Sequence, residues 1–205
     1  MRKFSKIESE LLLKEELTVG IDEVGRGSLI GPVVACAFQL DSIIKNIELN
    51  DSKMLSENKR ISKVLELLIN NSVFALGYSS NQEIDEINIL NATYLAMNLA
   101  IEKLEIKPDK VIIDGNSFKA KKKIDFECIV GGDDKYISIA AASILAKVKR
   151  DEIMCKLSTQ FPMYDWKRNK GYGTEKHKEM IYKYGRCKYH RMTFNIKNKQ
   201  LKLTI

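Results

Sequence analysis

The chain has 205 residues, 44% of them hydrophobic, and a formal net charge of +7. This length suits one domain, or one domain with an appendage, around a substantial buried core. No apolar run reaches the roughly 20 residues of a membrane helix, and residues 1–17 are too charged for a secretory signal. The composition therefore predicts no membrane contact and favours a cytoplasmic protein.

The net charge and the positions of the cysteines narrow the possible class of protein further. Excess lysine and arginine allow binding to a polyanion such as nucleic acid, although charge alone is a weak signal. The four cysteines contain no C-x-x-C pair and lie far apart, so neither a zinc knuckle nor a disulfide framework is predicted. We interpret them as reduced thiols.

Apolar patterning predicts alternating strands and helices in the first half of the chain. Continuous β-branched runs favour strands, whereas apolar residues spaced by about 3.6 positions favour helices. In chain order we expect a helix over residues 1–17, strands over 17–22 and 30–40, a helix over 57–70 with Ser56 as N-cap, a strand over 73–78, and one or two helices over 84–105. The glycine-rich turn between the first two strands favours an antiparallel pair.

The second half continues this pattern and ends in a segment of different texture. We expect a strand within residues 110–116 whose C-terminal end presents Asp114, a strand over 126–130, a long helix over 136–157 with small residues on the face toward the sheet, and a helix over 175–184 with Thr174 as N-cap. From residue 160 onward aromatic and basic residues are interleaved, which indicates either a nucleic-acid-facing segment or a small aromatic core. His177 and His190 are each either a satisfied surface side chain or a base.

Acidic residues follow three of the predicted strands. They are Asp22 with Glu23, Asp114, and Asp133 with Asp134. If these strand ends are neighbours, three or four carboxylates meet, which suits hard divalent cations such as Mg²⁺ or Mn²⁺. Two such ions about 4 Å apart activate a water and stabilise a leaving oxygen in phosphodiester cleavage. Each acid alone is also compatible with a solvated turn.

The geometry of the first acidic pair needs a bend in the chain. Successive side chains on a strand point to opposite faces, so Asp22 and Glu23 share one site only if the strand ends or bends there. Gly25 and Gly27 make such a bend inexpensive. We therefore expect the strand to end or bend at this pair.

Seven motifs, in one order, carry a resemblance to a known family. They are GIDEVGRG at residues 20–27, NDSK at 50–53 with LS at 55–56, EIDEINIL at 83–90, IDGN at 113–116, AAASILAK at 140–147 with RD at 150–151, KGYGT at 170–174, and HR at 190–191 before Phe194. Any one is a weak signal, but the ordered set is specific. From about residue 18 to 195 the chain resembles bacterial ribonuclease HII, the type 2 ribonuclease H.

The resemblance implies a fold, a reaction and a metal site. The fold is a ribonuclease H-like mixed five-stranded sheet flanked by helices, with a C-terminal helical appendage. The reaction is metal-dependent cutting of RNA in RNA–DNA hybrids, and at ribonucleotides embedded in duplex DNA, leaving a 3′-hydroxyl and a 5′-phosphate. The metal ligands, for two Mn²⁺ or Mg²⁺ ions, are Asp22, Glu23, Asp114 and Asp133. The lysine of the family's Lys-Gly-Asp segment is missing before Asp133, so Asp134 competes for the fourth place.

The resemblance also assigns substrate contacts. The backbone of Gly25, Arg26 and Gly27 reads the ribose 2′-hydroxyl, and Tyr172 stacks on the neighbouring deoxyribose. The 2′-hydroxyl is the group that separates RNA from DNA. The remaining expected contacts to substrate, mostly phosphate-facing, are Lys53, Asn116, Ser143, Lys147 and Arg191. Ser143 is equally compatible with a small packing residue.

The resemblance also implies a division of the chain into two parts, and two alternative functions stay open beside it. Residues 1–158 form the catalytic domain and residues 159–205 the substrate-binding segment, as one structural unit and a monomer by default. Ribonuclease HIII is the alternative enzyme, disfavoured by the absence of a long stretch before the first strand. A basic nucleic-acid-binding module whose acids form only ion pairs is the non-catalytic alternative. A sliding-clamp contact near residues 195–205 is a further open expectation.

Overall fold

The computed structural model describes residues 17–39 and 73–196. The helices expected over residues 1–17 and 57–70, the N-cap at Ser56 and the substrate contact at Lys53 lie outside these ranges. Within them the strands are β1 (Thr18–Val24), β2 (Val33–Gln39), β3 (Phe74–Ser79), β4 (Lys110–Asp114) and β5 (Asp125–Ile129). The helices are α1 (Asn81–Glu102), α2 (Ile137–Gln160), α3 (Trp166–Asn169) and α4 (Glu175–Tyr184), with 3₁₀ turns at Gly132–Asp134 and Pro162–Tyr164.

The five strands form one mixed sheet in the order β3-β2-β1-β4-β5. The pairs β1–β2 and β2–β3 are antiparallel, whereas β4 runs parallel to β1 and β5 parallel to β4. The predicted mixed five-stranded α/β fold is therefore confirmed. Because β1, β4 and β5 are parallel, their carboxyl ends meet at one edge of the sheet, where the acidic residues lie.

The predicted ends of the first two strands are wrong. Strand β1 does not end at Asp22, because its pairing with β2 continues through Glu23 opposite Ala35. The acidic pair therefore belongs to a strand. Strand β2 begins at Val33 instead of Ile30, since Gly31 has a φ of +72° and the next residue, a proline, has no N–H to give to a ladder.

Two long helices cover opposite faces of the sheet. Alternate residues of β2 divide between them: Val33, Ala35 and Ala37 belong to the cluster under α1, and Val34, Cys36 and Phe38 to the cluster under α2. Close contact depends on glycine at two strand positions. A Cβ on Gly20 would collide with the backbone of α2 at Ser138, and a Cβ on Gly77 with the backbone of α1 at Ala96. The small residues of α2 thus lie against the sheet, as predicted.

The C-terminal part packs around its own aromatic cluster. Tyr164 and Trp166 stack at 4.9 Å between ring centroids, and Ile30, Met154 and Ile181 complete the buried group. Tyr164 and Trp166 therefore belong to a small aromatic core, the second of the two interpretations of this segment. Helix α4 begins after Thr174, whose side chain accepts the N–H of His177, so the predicted N-cap is confirmed.

Within residues 17–39 and 73–196, no helix is long and apolar enough to cross a bilayer. The longest apolar surfaces of α1 and α2 are instead buried on the sheet.

Candidate active site

Asp22 is a buried carboxylate near the end of β1. Its side chain is 7% exposed, and its Oδ1 accepts the N–H of Glu23 at 2.7 Å. Burial raises the pKa of Asp22 to about 7, and the charges of Glu23 and Asp114 act in the same direction. A hydrogen bond from the Ser143 side chain on α2 opposes this rise. The site thus holds an acid whose charge is poorly compensated by the protein.

Glu23 follows on the same strand and is compensated differently. Its Oε1 accepts a hydrogen bond from Arg26 Nη1 at 3.1 Å. Burial raises the pKa of Glu23, the Arg26 guanidinium lowers it, and Asp114 raises it. Because β1 does not bend before Glu23, strand alternation separates its side chain from that of Asp22. The expected bend at the glycines comes one residue later, after Val24.

Asp114 ends β4, the parallel neighbour of β1. Its Oδ1 accepts the N–H of Gly132 at 2.7 Å, which ties the 3₁₀ turn carrying Asp133 and Asp134 to the end of β4. Both turn residues are exposed, and neither is among the charges that shift the pKa of Asp22 or Glu23. The structure therefore brings Asp22, Glu23 and Asp114 within electrostatic reach of one another and leaves the other two beside them at the surface.

The donor chemistry at this edge fits a hard divalent cation. The acids offer only carboxylate oxygens, the ligands that Mg²⁺ and Mn²⁺ prefer, and the pKa of Asp22 is raised by burial first and then by the neighbouring charges of Glu23 and Asp114. As the side chains stand, no three His, Cys, Asp or Glu residues of the described ranges are grouped closely enough to hold an ion. The four-carboxylate metal site therefore stays a prediction.

A tight loop follows the acids. Gly25 has a φ of +96°, and the turn is closed by the N–H of Ser28 donating to the Gly25 carbonyl at 3.3 Å. Gly25 is buried, and a Cβ there would collide with the guanidinium of Arg150. Arg26 and Gly27 are exposed. The left-handed conformation and the close approach explain why glycine precedes Arg26.

Tyr172 lies beside this loop. A Cβ on Gly27 would meet the Tyr172 ring at 3.9 Å, and Ser28 forms an isolated backbone bridge with Tyr172. The ring is 42% exposed, with the Arg150 guanidinium 5.7 Å from its centroid. The predicted ribose reader and the predicted stacking residue are therefore neighbours in space.

His177 and Trp166 support Tyr172 from the interior, and His190 lies buried in the same cluster. Trp166 Nε1 donates to His177 Nε2 at 2.9 Å, so His177 Nδ1 carries the proton and donates to the Tyr172 carbonyl at 2.9 Å. His190 Nδ1 accepts the N–H of Cys187 at 2.9 Å. Burial lowers the pKa of His177 and that of His190, the latter to about 4. Neither is a surface side chain, which corrects that interpretation.

Arg191 does not face phosphate, which corrects the expectation for it. The side chain is 1% exposed and donates four hydrogen bonds, all to backbone carbonyls. They run to Gly25 and Arg26 at 2.7 and 2.8 Å and twice to Gly31 at 3.0 and 3.1 Å. Burial and the charge of Arg150 lower the pKa of Arg191 to about 9, which leaves it charged at neutral pH.

Arg150 belongs to one of the family motifs but was assigned no role from the sequence, and its side chain is buried in the same way as that of Arg191. It is 1% exposed and donates to the carbonyls of Ile30, Pro32 and Lys170 at 3.2, 3.1 and 2.9 Å. Burial lowers its pKa. The guanidiniums of Arg150 and Arg191 thus lie beneath the loop and the residues that follow it, and their N–H groups donate to backbone carbonyls.

The other expected substrate contacts differ in how they are engaged. The side chain of Ser143 lies near Asp22 and lowers the pKa of that carboxyl. Lys147 is exposed and pairs with Asp151 at 3.6 Å. Asn116 is exposed, and its Oδ1 accepts from Ser117 at 3.3 Å. Lys147 and Asn116 are therefore accessible, and their contact with substrate stays a prediction.

The mixed five-stranded sheet, with acidic residues at one edge, is a ribonuclease H-like fold. A solved structure of the PCNA:RNase HII complex from Archaeoglobus fulgidus matches with a TM-score of 0.69 at 24% identity, covering 90% of this chain and 98% of that one. A structure of Bst-RNase HIII in complex with Mn²⁺ matches with a TM-score of 0.59 at 22% identity, covering 83% and 63% of the two chains. At these identities both show the fold.

Sequence comparison gives the particular family. The family model described as Ribonuclease HII matches residues 19–197. Ribonuclease HII of Christiangramia forsetii is 52% identical over 186 residues, which cover 90% of this chain and 93% of the relative. The chain belongs to the ribonuclease HII family, and it is a metal-dependent endonuclease that hydrolyses the RNA strand of RNA–DNA hybrids.

Proposed function

We propose that Asp22, Glu23, Asp114 and Asp133 hold two divalent ions, Mn²⁺ or Mg²⁺, at the carboxyl ends of β1, β4 and β5. The observation that carries this assignment is the buried Asp22, whose charge Glu23 and Asp114 further disfavour. A bound cation stabilises the charged form of a buried carboxylate, which is otherwise unfavourable. Asp134 is the competitor for the fourth place, because both turn residues follow Gly132, which is bonded to Asp114.

In this proposal the carboxylates hold the metal ions, and other side chains position those carboxylates. When bound, divalent ions supply the charge that activates a water and stabilises the leaving 3′ oxygen. Ser143 orients the Asp22 carboxylate from α2. His177 and His190 are buried in the aromatic cluster, so no histidine acts as general base in this proposal, and the products are a 3′-hydroxyl and a 5′-phosphate.

Selectivity for ribose is assigned to the adjoining loop. The exposed backbone at Arg26 and Gly27 reads the 2′-hydroxyl, and Tyr172 stacks on the deoxyribose next to it, which supports cutting at single ribonucleotides embedded in DNA. The closeness of Gly27 to the Tyr172 ring supports this division. An aromatic face accommodates a deoxyribose but offers an additional hydroxyl no hydrogen-bond partner. Asn116, Ser143 and Lys147 complete the proposed substrate surface, together with Lys53.

The test is a cleavage assay on a DNA duplex that carries one ribonucleotide, with Mg²⁺ or Mn²⁺ and with EDTA. We expect Asp22→Asn and Asp114→Asn to lose cleavage by at least about a thousandfold, since each removes a charged ligand from the reaction centre. Asp125→Asn is the matched control, because Asp125 is an exposed acid at the opposite end of β5. Cleavage by Asp114→Asn at the wild-type rate would overturn the assignment, and wild-type binding without metal-dependent cutting would favour a non-catalytic module.

Four expectations complete the proposal. The catalytic domain spans residues 1–158 and the substrate-binding segment residues 159–205, the protein is a monomer, and it resides in the cytoplasm. A sliding-clamp contact near residues 195–205 is included because the A. fulgidus protein was solved with PCNA. Residues 197–205 lie outside the described ranges.

A further inference from the structure

Arg191 holds the ribose-reading loop from its buried side. Its Nη2 bonds the Gly25 carbonyl at 2.7 Å and its Nη1 bonds the Arg26 carbonyl at 2.8 Å. The Nε and Nη2 atoms also bond the carbonyl of Gly31, where the loop re-enters the sheet. One planar guanidinium therefore fixes both ends of the turn.

These bonds determine where the loop N–H groups point. The carbonyl of Gly25 shares a peptide plane with the N–H of Arg26, and the carbonyl of Arg26 shares one with the N–H of Gly27. In a trans peptide the C=O and N–H point in opposite directions, and the described residues contain no cis peptide. Carbonyls held inward by Arg191 therefore direct both N–H groups outward.

The outward N–H groups are available to a ligand. No acceptor within residues 17–39 and 73–196 bonds the N–H of Arg26 or Gly27, and both residues are exposed. Such N–H groups are suited to a hydroxyl oxygen, which accepts hydrogen bonds. The Tyr172 ring lies next to Gly27, on the side where the neighbouring sugar is proposed to stack.

We propose that Arg191 is a positioning residue that sets ribose selectivity, by orienting the N–H groups of Arg26 and Gly27 toward the 2′-hydroxyl without touching the substrate. The inference rests on the proposed role of the loop. Lysine cannot replace arginine here, because one ammonium cannot reproduce the planar fork that reaches three carbonyls. Selectivity therefore depends on a side chain that is fully buried.

The chain offers a matched control in Arg186. Its guanidinium also donates to three backbone carbonyls, those of Arg191, Met192 and Phe194, at 3.1, 2.8 and 2.7 Å. It lies in the same segment but bonds no carbonyl of the loop. If the substitutions act through a general loss of packing, Arg186→Lys and Arg191→Lys will change the selectivity for ribose alike. If Arg191 positions the loop, only Arg191→Lys will change it.

The experiment measures binding by the full chain in EDTA, where no cleavage occurs. Two duplexes of one sequence are compared, all-DNA and with a single ribonucleotide, and the ratio of their Kd values reports the reading of the 2′-hydroxyl. We expect Arg191→Lys to reduce this ratio about fivefold, the loss of about one neutral hydrogen bond. Affinity for the all-DNA duplex should change less than about twofold, and Arg186→Lys should keep the wild-type ratio.

The possible results distinguish a failure of the Arg191 inference from a failure of the proposed role of the loop. A wild-type ratio of one would overturn the proposed role of the loop, and the inference with it. A wild-type preference that Arg191→Lys retains, or that Arg186→Lys loses equally, would overturn the inference alone. If Arg191→Lys does not fold, Asp85→Ala replaces it, because Asp85 accepts from the N–H groups of Met192 and Thr193 directly after Arg191. An unchanged ratio in Asp85→Ala would then overturn the inference.

Discussion

Replacing Asp22 by asparagine is expected to stabilise the protein while abolishing its activity. The carboxylate is buried, and its pKa rises from 3.8 to about 7 on folding. The unfolded chain therefore releases this proton at a lower pH than the folded chain does, so Asp22 lowers the free energy of unfolding as pH rises from about 4 to 7. Asparagine retains an acceptor for the N–H of Glu23 but never ionises.

The size of this effect follows from the shift. About three pKa units correspond to a cost of about 4 kcal/mol once Asp22 is ionised, taken as an upper limit. At about pH 5 the same linkage gives a cost of about 2 kcal/mol, since the folded carboxyl is still protonated there. The advantage of Asp22→Asn over wild type should therefore grow by about 2 kcal/mol between pH 5 and pH 8.

Urea unfolding in EDTA at several pH values measures this difference. Asp133→Asn serves as the control, because Asp133 is exposed and its replacement should change the free energy of unfolding by less than about 0.5 kcal/mol at any pH. Adding Mn²⁺ should stabilise wild type but not Asp22→Asn, since only a folded site that binds the ion gains stability. An advantage that is constant with pH, or a less stable variant, would refute the reasoning.

Three further predictions concern the site and its support. Tyr172→Ala should slow cutting at a single embedded ribonucleotide about tenfold more than cutting of a continuous hybrid, because only the first substrate offers a deoxyribose to the ring; equal losses in the two kinetic assays would remove the stacking role. Asp133→Asn should reduce cleavage strongly and Asp134→Asn weakly, and the reverse order in parallel cleavage assays would move the fourth ligand to Asp134. His190→Asn should reduce the loss of stability on acidification. The unfolded histidine gains its proton near pH 6.5 and the folded one near pH 4, so the free energy of unfolding of wild type falls by about 3 kcal/mol as pH falls through this window. Identical pH profiles of urea unfolding for wild type and variant would contradict the assignment.

Features encoded by neighbouring residues could be predicted from the sequence. Helix α4 begins after Thr174 and ends at Tyr184 as expected, because an N-cap and an apolar period are both local signals. Strand β4 ends at Asp114, as its β-branched run followed by Asp-Gly indicated. The order of motifs along the chain likewise identified the family that the comparisons show.

Features that depend on distant residues could not be predicted. The end of β1 is set by its pairing with β2, and no property of Asp22 or Glu23 reports how far that pairing extends. The family resemblance placed Arg191 among the phosphate-facing residues, yet its side chain is buried and its acceptors lie about 160 residues earlier in the chain. One local signal was available for Arg150, which continues the buried stripe of Ala142, Ala146 and Met154 at intervals of four.

Helix α2 contacts both halves of the site. Ser143 hydrogen-bonds Asp22, and Arg150 bonds the carbonyls of Ile30 and Pro32 beside the loop. Seven residues separate them, which is about 10 Å along the axis and within about 20° of the same face. In the proposed function, the number of residues between these two positions of α2 therefore sets the distance between the metal site and the loop that reads the ribose. A single inserted residue between these positions would rotate one contact by about 100° and uncouple cutting from reading.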